Sequence, residues 1–248
     1  MQKLAIVSDI HGNLEAFTAV LSEIDRLGIH TIYALGDTVG YGPDPEECTR
    51  LAAKRCAVRL LGNHEFGLRY PEQLPFNSHA AAALAWTKAQ LQHAGLLDQA
   101  TTLPQYYKHG DHLYVHGSVR DVVADYVRET DVDGFSSFDD LINTLTYDFT
   151  SFKICFVGHN HRPFLATREG FLYPHDDVTE FNVANERLYV SVGSVGQPRD
   201  GDPRACFVEF DGKTIRYHRV AYDFARTAEK ILAAGLPAIL ANRLQNGE

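Results

Sequence analysis

Six short apolar runs, spread between residues 4 and 192, each end on a glycine or serine beside a polar side chain. "LAIV" leads into Ser8-Asp9-Ile10-His11, "TIYAL" into Gly36-Asp37, and "AVRLL" into Gly62-Asn63-His64-Glu65. "HLYV" leads into His116-Gly117, "KICFV" into Gly158-His159-Asn160-His161, and "RLYVSV" into Gly193-Ser194. Such runs read as buried strands, and glycine lets the backbone turn sharply where each one stops. Side chains two apart on a strand point the same way, so Asp9 and His11 are expected to project together from the end of the first strand. Alone, that pair reads as well as a turn aspartate and a solvated histidine; its recurrence along the chain argues for more.

The stretches between the runs set the fold class. In "NLEAFTAVLSEIDRLG" the residues Leu14, Phe17, Val20, Leu21 and Ile24 fall at helical spacing, and Gly28 closes the helix. "DPEECTRLAAK" reads as a second helix with Pro45 at its start. Strand, helix, strand, helix, strand predicts parallel strands joined by crossovers. In such sheets ligands gather outside the carboxyl ends of the strands. Asp9, Asp37 and Asn63, separated by 28 and 26 residues, would meet there. Residues 76–97 read as an Ala-rich helix. From Gln105 onward strands dominate, with hairpin turns at Gly170, Asn185-Glu186 and Asp211-Gly212. "DFARTAEKILAAG" is a packing helix near the chain's end. The expectation is α/β: two sheets face to face with helices outside, in one domain over residues 1–248 with a helical tail at about 222–248. No linker or internal repeat divides the sequence.

Composition narrows the function classes. The chain carries 23 Lys+Arg against 32 Asp+Glu, a formal charge of -9, which argues against a nucleic-acid or membrane-surface binder. A phosphate substrate stays open if the site brings its own cations. Cys48, Cys56, Cys155 and Cys206 are scattered, as in reduced structural thiols. There is no apolar stretch long enough to span a bilayer and no signal-peptide core, so a cytoplasmic location is expected. Oligomeric state has no signature here.

The residues at the run ends are Asp9, His11, Asp37, Asn63, His64, His116, His159 and His161. Carboxylates, an amide oxygen and several imidazoles suit divalent transition ions better than Mg²⁺ or Ca²⁺. The lack of cysteine disfavours a structural zinc site. These are too many prospective ligands for one tetrahedral ion, whereas two ions sharing a carboxylate would use them well.

In order and spacing, Asp9-x-His11, Gly36-Asp37, Gly62-Asn63-His64-Glu65, His116 and Gly158-His159-Asn160-His161 resemble the calcineurin-like metallophosphoesterases, over roughly residues 3–220. "GDTVGYGPDP", "HGSVRD" and "GSVGQPRDGDPRA" look like a bacterial and archaeal branch of phosphodiesterases or phosphatases. The resemblance implies a four-layer αββα sandwich of two mixed sheets flanked by helices. It implies two divalent metal ions, Mn²⁺ first, with Fe, Zn²⁺ or Ni²⁺ as alternatives. Asp9, His11 and His161 would hold one ion, Asn63, His116 and His159 the other, and Asp37 would bridge. It further implies attack on phosphorus by a metal-bridging hydroxide, with His64 as general acid or as stabiliser of the phosphoryl oxygens. An imidazole titrating near neutrality would suit the acid role.

One departure matters. The Ser/Thr phosphatase branch has Gly-Asp-x-x-Asp-Arg-Gly, whereas here Gly40 and Tyr41 replace the Asp that steadies the catalytic histidine and the Arg that grips phosphate. The implied substrate is therefore a small phosphorylated molecule or nucleotide cleaved at a phosphodiester or phosphoanhydride bond. Phosphomonoesterase or phosphoprotein phosphatase activity, or a non-catalytic metal-binding scaffold, is the alternative. Arg120 and Arg199 are candidates for phosphate contact, against surface solvation, since a guanidinium fork fits phosphate oxygens. The remaining histidines read as surface or packing residues, His112 least securely because it alternates with Tyr114 and His116. The pairs Asp139-Asp140 and Asp176-Asp177 read as solvated carboxylates. Tyr106, Tyr107 and Tyr126 read as half-buried sheet residues, with nucleobase stacking the other possibility.

Overall fold

A computed structural model describes residues 3–131, 152–176, 178–183 and 187–248. Asp139-Asp140, Asp177 and the Asn185-Glu186 turn lie outside the described residues; Asp176 is exposed and pairs with Arg204 at 3.4 Å.

The opening alternation forms as its periodicity dictates. Strands β1 (Leu4–Val7), β2 (Thr31–Ala34) and β3 (Val58–Arg59) are parallel, with helices α1 (Leu14–Arg26) and α2 (Pro45–Arg55) as crossovers. The Asn13 carboxamide caps α1 by accepting the Ala16 N–H, and the helix buries Phe17, Val20, Leu21 and Ile24. The third apolar run contributes only two strand residues. Past Arg59 the backbone is drawn off: Leu60 N–H still reaches Ala34 O, but Leu61 N–H donates to Pro104 O. Short helix α3 (Asn63–Arg69) follows at once, then α4 (Ser78–His93) and α5 (Leu97–Thr101).

The second half supplies β4 (Tyr106–His109), β5 (His112–Val115), β6 (Ile154–Val157), β7 (Pro163–Thr167), β8 (Gly170–Leu172), β9 (Glu180–Asn182), β10 (Leu188–Val192), β11 (Ala205–Phe210) and β12 (Thr214–Val220), then helices α6 (Phe224–Ala233) and α7 (Ala238–Asn242). Twelve described strands build two mixed sheets, ordered β3-β2-β1-β11-β12-β9 and β4-β5-β6-β10-β7-β8. β11 pairs antiparallel with β1, so the late part of the chain completes the sheet that the first part began.

The sheets pack face to face, flanked by helices. Period-2 alternation divides each strand between two cores. Leu4 and Ile6 of β1, Tyr114 of β5, Phe156 of β6, Val190 of β10 and Phe210 of β11 fill the gap between sheets. Their neighbours Ala5, Val7 and Phe207 face α1 and α2, while Val115, Cys155 and Tyr189 meet Val119, Val122 and Val127 on the other side. Phe156 stacks on Tyr114 at 5.1 Å and meets Phe210 in a tilted contact at 5.2 Å. Urea denaturation of Phe156→Ala is expected to show a loss of about 3–5 kcal/mol, because that gap cannot collapse around the void. His112 sits at the start of β5, its ring against Phe210, at the far end of the strand from His116. Among the described residues no helix is long and apolar enough to cross a membrane.

Candidate metal centre

The carboxyl ends of β1, β2, β5 and β6 lie together, tied by loop hydrogen bonds. Asp9 N–H donates to Gly36 O, His11 N–H to Asp37 O, Gly158 N–H to His116 O and Gly196 N–H to Asp9 O. β1 stops at Val7, so strand alternation does not aim Asp9 and His11. Both residues instead take left-handed backbone conformations (φ 53° and 49°), and two successive turns of this kind swing the side chains into one place. His159 and His161 repeat this at the end of β6 (φ 61° and 56°), and Asp37 does so after β2 (φ 51°). With Tyr41 (φ 58°) these are the positive-φ non-glycine residues among those described. Each costs about 1–3 kcal/mol, and such strain clusters where function requires it.

Asp9, His11, Asp37, Asn63, His116, His159 and His161 are all buried, and the structure brings them together. Asp9 Oδ1 lies 3.2 Å from His161 Nε2 and 3.8 Å from His11 Nε2. His116 Nε2 lies 3.0 Å from Asn63 Oδ1 and 3.3 Å from Asp37 Oδ2. Ligand atoms of Asp9, His11 and His161 fall within 4.8 Å of one another, as do those of Asp37, His116 and His159. Asp37 Oδ2 is also 3.7 Å from His11 Nε2, so this one carboxylate touches both groups.

Backbone carbonyls fix which ring nitrogen faces inward. His11 Nδ1 donates to Val39 O, His116 Nδ1 to Leu35 O and His161 Nδ1 to Gln197 O, while His159 turns the other way and donates Nε2 to Ala124 O. Burial pushes the pKa of His11, His159 and His161 down, His159 to about 3, so these rings are neutral. The bare Nε2 atoms of His11 and His161 then face each other at 3.0 Å, beside Asp9 Oδ1, which is buried without a well-formed hydrogen bond. Lone pairs so converged repel unless a cation sits among them, and this donor set fits a divalent transition ion.

The second group differs in one respect. Burial opposes charging His116, but Asp37 outweighs it and lifts the pKa to about 9. Burial likewise works against the Asp37 carboxylate, yet His116 and His64 hold its pKa well below the usual range. A proton on His116 thus takes the place of a cation, and a metal ion bound there would have to displace it. Uptake at pH 7–8 is expected to release about one proton per chain from His116, with affinity rising with pH up to about 9. Calorimetry in buffers of different ionisation enthalpy measures this; uptake without proton release would contradict it.

Residues 2–213 match the sequence profile of the calcineurin-like phosphoesterase superfamily domain. The chain belongs to this superfamily. It is 35% identical to an uncharacterized protein of Methanocaldococcus jannaschii, across 97% of this chain and 96% of that one. A crystal structure of a metallophosphoesterase from Sphaerobacter thermophilus is 34% identical, covers 100% of this chain and 99% of its own, and superposes with a TM-score of 0.83. A hypothetical protein from Pyrococcus horikoshii, 21% identical over 100% and 99% of the two chains, shares the fold at a TM-score of 0.78.

Against the pattern of the Ser/Thr phosphatase branch, the surroundings of His64 stand out. His64 is buried, and its ring packs on Tyr41 at 4.4 Å, His11 at 4.7 Å and Phe76 at 5.4 Å. Its backbone N–H donates to Asp37 Oδ1, and its ring Nε2 lies 4.0 Å from Asp37 Oδ2. Nδ1 has no partner. With nothing to accept a proton there, the neutral ring keeps its proton on Nε2, toward the ligands. Burial drives the pKa to about 4, so the near-neutral titration expected from sequence is not met in this pocket. Aromatic packing, not an aspartate, holds the ring.

Gly40 (φ 89°) makes that packing possible, because a Cβ there would lie 2.0 Å from His64 Nδ1. Gly40→Ala is expected to cost about 1–3 kcal/mol in stability and to lower kcat with metal content unchanged. Thermal melts, turnover and metal analysis of one preparation check this.

Glu65 has a role that the pattern of apolar runs does not announce. It is buried, accepts the N–H groups of Asp37 and Gly62 on Oε2 and that of Val39 on Oε1, and so clamps the β2 loop to the start of α3. Its place three residues after Gly62 is a capping-box spacing, a signal present in the sequence. Arg120 is built into its own loop: its guanidinium donates to Asp125, Asp131 and the Tyr126 carbonyl. Arg199 lies at the site's edge, its guanidinium carbon 5.8 Å from the centre of the Tyr41 ring. Tyr107 packs between Tyr33 and Tyr114, whereas Tyr126 stacks on His159 at 3.9 Å.

Proposed function

We propose that the chain is a phosphoester hydrolase using two divalent ions, one held by Asp9, His11 and His161, the other by Asn63, His116 and His159, with Asp37 common to both. When bound, the ions neutralise phosphate charge and activate a water near neutral pH. The observation that carries this reading is Asp37 Oδ2 standing within 3.7 Å of an imidazole from each group.

The chain's own residues bind and orient the substrate. A cavity of about 170 Å³ opens onto Asn63 and His159 and is walled by Tyr41, Phe76, Ala124 and Tyr126. It suits a small phosphorylated substrate with a flat apolar group next to phosphorus. His64, neutral with its proton on Nε2, donates a hydrogen bond to a phosphoryl oxygen or to the departing oxygen. Tyr41 occupies the place of a phosphate-gripping arginine and offers no charge, which favours the singly charged diester over the doubly charged monoester. The same logic admits an internal phosphoanhydride.

Turnover of bis(4-nitrophenyl) phosphate and 4-nitrophenyl phosphate by Mn²⁺-loaded protein tests this. A kcat/KM ratio of about tenfold or more for the diester is expected, since one charge interaction is worth about that factor. A monoester preference would favour the phosphatase alternative, and no turnover with any divalent ion would favour a binding scaffold.

A further inference from the structure

Beside the metal centre, a cleft of about 590 Å³ is lined by Arg162, Arg199 and Arg243, with Pro163, Tyr173 and Pro174 among its walls. The three arginines share one arrangement. Arg162 Nε donates to Arg199 O, Arg199 Nε to Gln197 Oε1, and Arg243 Nε to the backbone oxygen of Glu248. Each guanidinium is thereby anchored through Nε; Arg199 also donates a terminal N–H to Gln197 Oε1, and each keeps further terminal N–H groups. None has an Asp or Glu side chain within ion-pair distance among the described residues, and the nearby Asp200 is taken by Arg219.

Several arginines elsewhere in this acidic chain are neutralised. Arg120 pairs with Asp125 and Asp131, Arg204 with Asp202, and Arg216 with Glu180 and Asp211. Asp200 and Glu248 also line the cleft, but Asp200 is spent on Arg219 and Glu248 only partly offsets Arg243, which burial and the neighbouring Arg199 both disfavour as a cation. Such a cluster is relieved by an anion with several oxygens, and guanidinium forks fit phosphate. The cleft adjoins the site: the Tyr41 ring under Arg199 lies 4.7 Å from the His11 ring and 4.4 Å from His64.

We propose that Arg162, Arg199 and Arg243 form an anion subsite that takes a second phosphoryl group of the substrate. The preferred substrate is therefore one with phosphates in series, such as a nucleoside polyphosphate. This substrate assignment rests on the hydrolase reading above; the anion site itself does not.

Two measurements separate them. Inorganic pyrophosphate binding to metal-free protein is followed calorimetrically for wild type and for the double variant R162A/R243A, with R162K/R243K as a fold and charge control. The alanine pair is expected to weaken binding about tenfold or more, with steeper salt dependence in wild type, and the lysine pair to recover part of it. On Mn²⁺-loaded protein the alanine pair should lower kcat/KM for tripolyphosphate by a similar factor and leave bis(4-nitrophenyl) phosphate unchanged. Equal pyrophosphate affinity in wild type and alanine variant, or equal losses on both substrates, would overturn the subsite. Arginine-dependent pyrophosphate binding in a protein with no turnover would keep the anion site and sink the hydrolase reading.

Discussion

Replacing Asp37 with alanine is expected to lower kcat for phosphoester hydrolysis by about 10³-fold, the equivalent of several kcal/mol of lost charge stabilisation. Asp37 is the carboxylate that stands between both ligand groups, 3.7 Å from His11 Nε2 and 3.3 Å from His116 Nε2. It also positions the His64 backbone by accepting its amide N–H on Oδ1. Alanine removes a negative charge, a shared ligand atom and a positioning contact together. Asp37→Asn keeps the shape and the oxygen facing His64 but loses the charge, so it should fall between wild type and alanine. Metal content should drop in the alanine variant, most in whichever group depends on Asp37 for its only carboxylate; that is the group of Asn63, His116 and His159. Steady-state turnover with metal analysis of the same samples checks both points, and an alanine variant that keeps full activity would remove the shared-carboxylate account.

His64→Gln is expected to lower kcat by about 10²-fold, in the range of a single positioned proton donor, with metal content unchanged. The pH behaviour is the sharper readout. Burial holds the folded-state pKa at about 4, below the ordinary 6.5, so the neutral ring predominates at every pH well above 4. A ring that acts by donating its Nε2 proton as a hydrogen bond needs no further proton. The ratio of wild-type to His64→Gln rates should therefore stay constant between about pH 5.5 and pH 8. A ring that works as a charged acid would instead make the ratio fall as pH rises through its pKa. The loss should also be larger for alkyl than for nitrophenyl leaving groups if His64 assists the departing oxygen, and equal if it serves only the phosphoryl oxygens.

The convergence of the seven candidate ligand side chains was legible because it is written locally: an apolar run, a small residue, then a polar side chain, repeated. The same repetition, with helical spacing between the first three runs, announced the parallel strands β1, β2 and β3. The place of β11 beside β1 was not legible, since the pairing joins segments about 200 residues apart with no local sign of a partner. Strand alternation led to the right neighbours for Asp9 and His11 by the wrong geometry, because left-handed turns at non-glycine residues are imposed by the surrounding packing. Gly62 shows that constraint from the other side: a Cβ there would lie 2.1 Å from Asp37 Oδ1, a close approach invisible until β3 and β2 are side by side. His64 was readable as a polar residue at the site but not as a low-pKa one, since that depends on Tyr41 and Phe76 folding over it. Arg120 looked equivalent to Arg199 in sequence, and only the fold shows the first spent on Asp125 and Asp131 and the second facing an open cleft.

Anomalous diffraction from crystals of Mn²⁺-loaded protein tests the centre directly. Two peaks per chain are expected, one contacted by Asp9, His11 and His161, the other by Asn63, His116 and His159, with the Asp37 carboxylate reaching both. A single peak, or peaks that leave Asp37 out, would contradict the account.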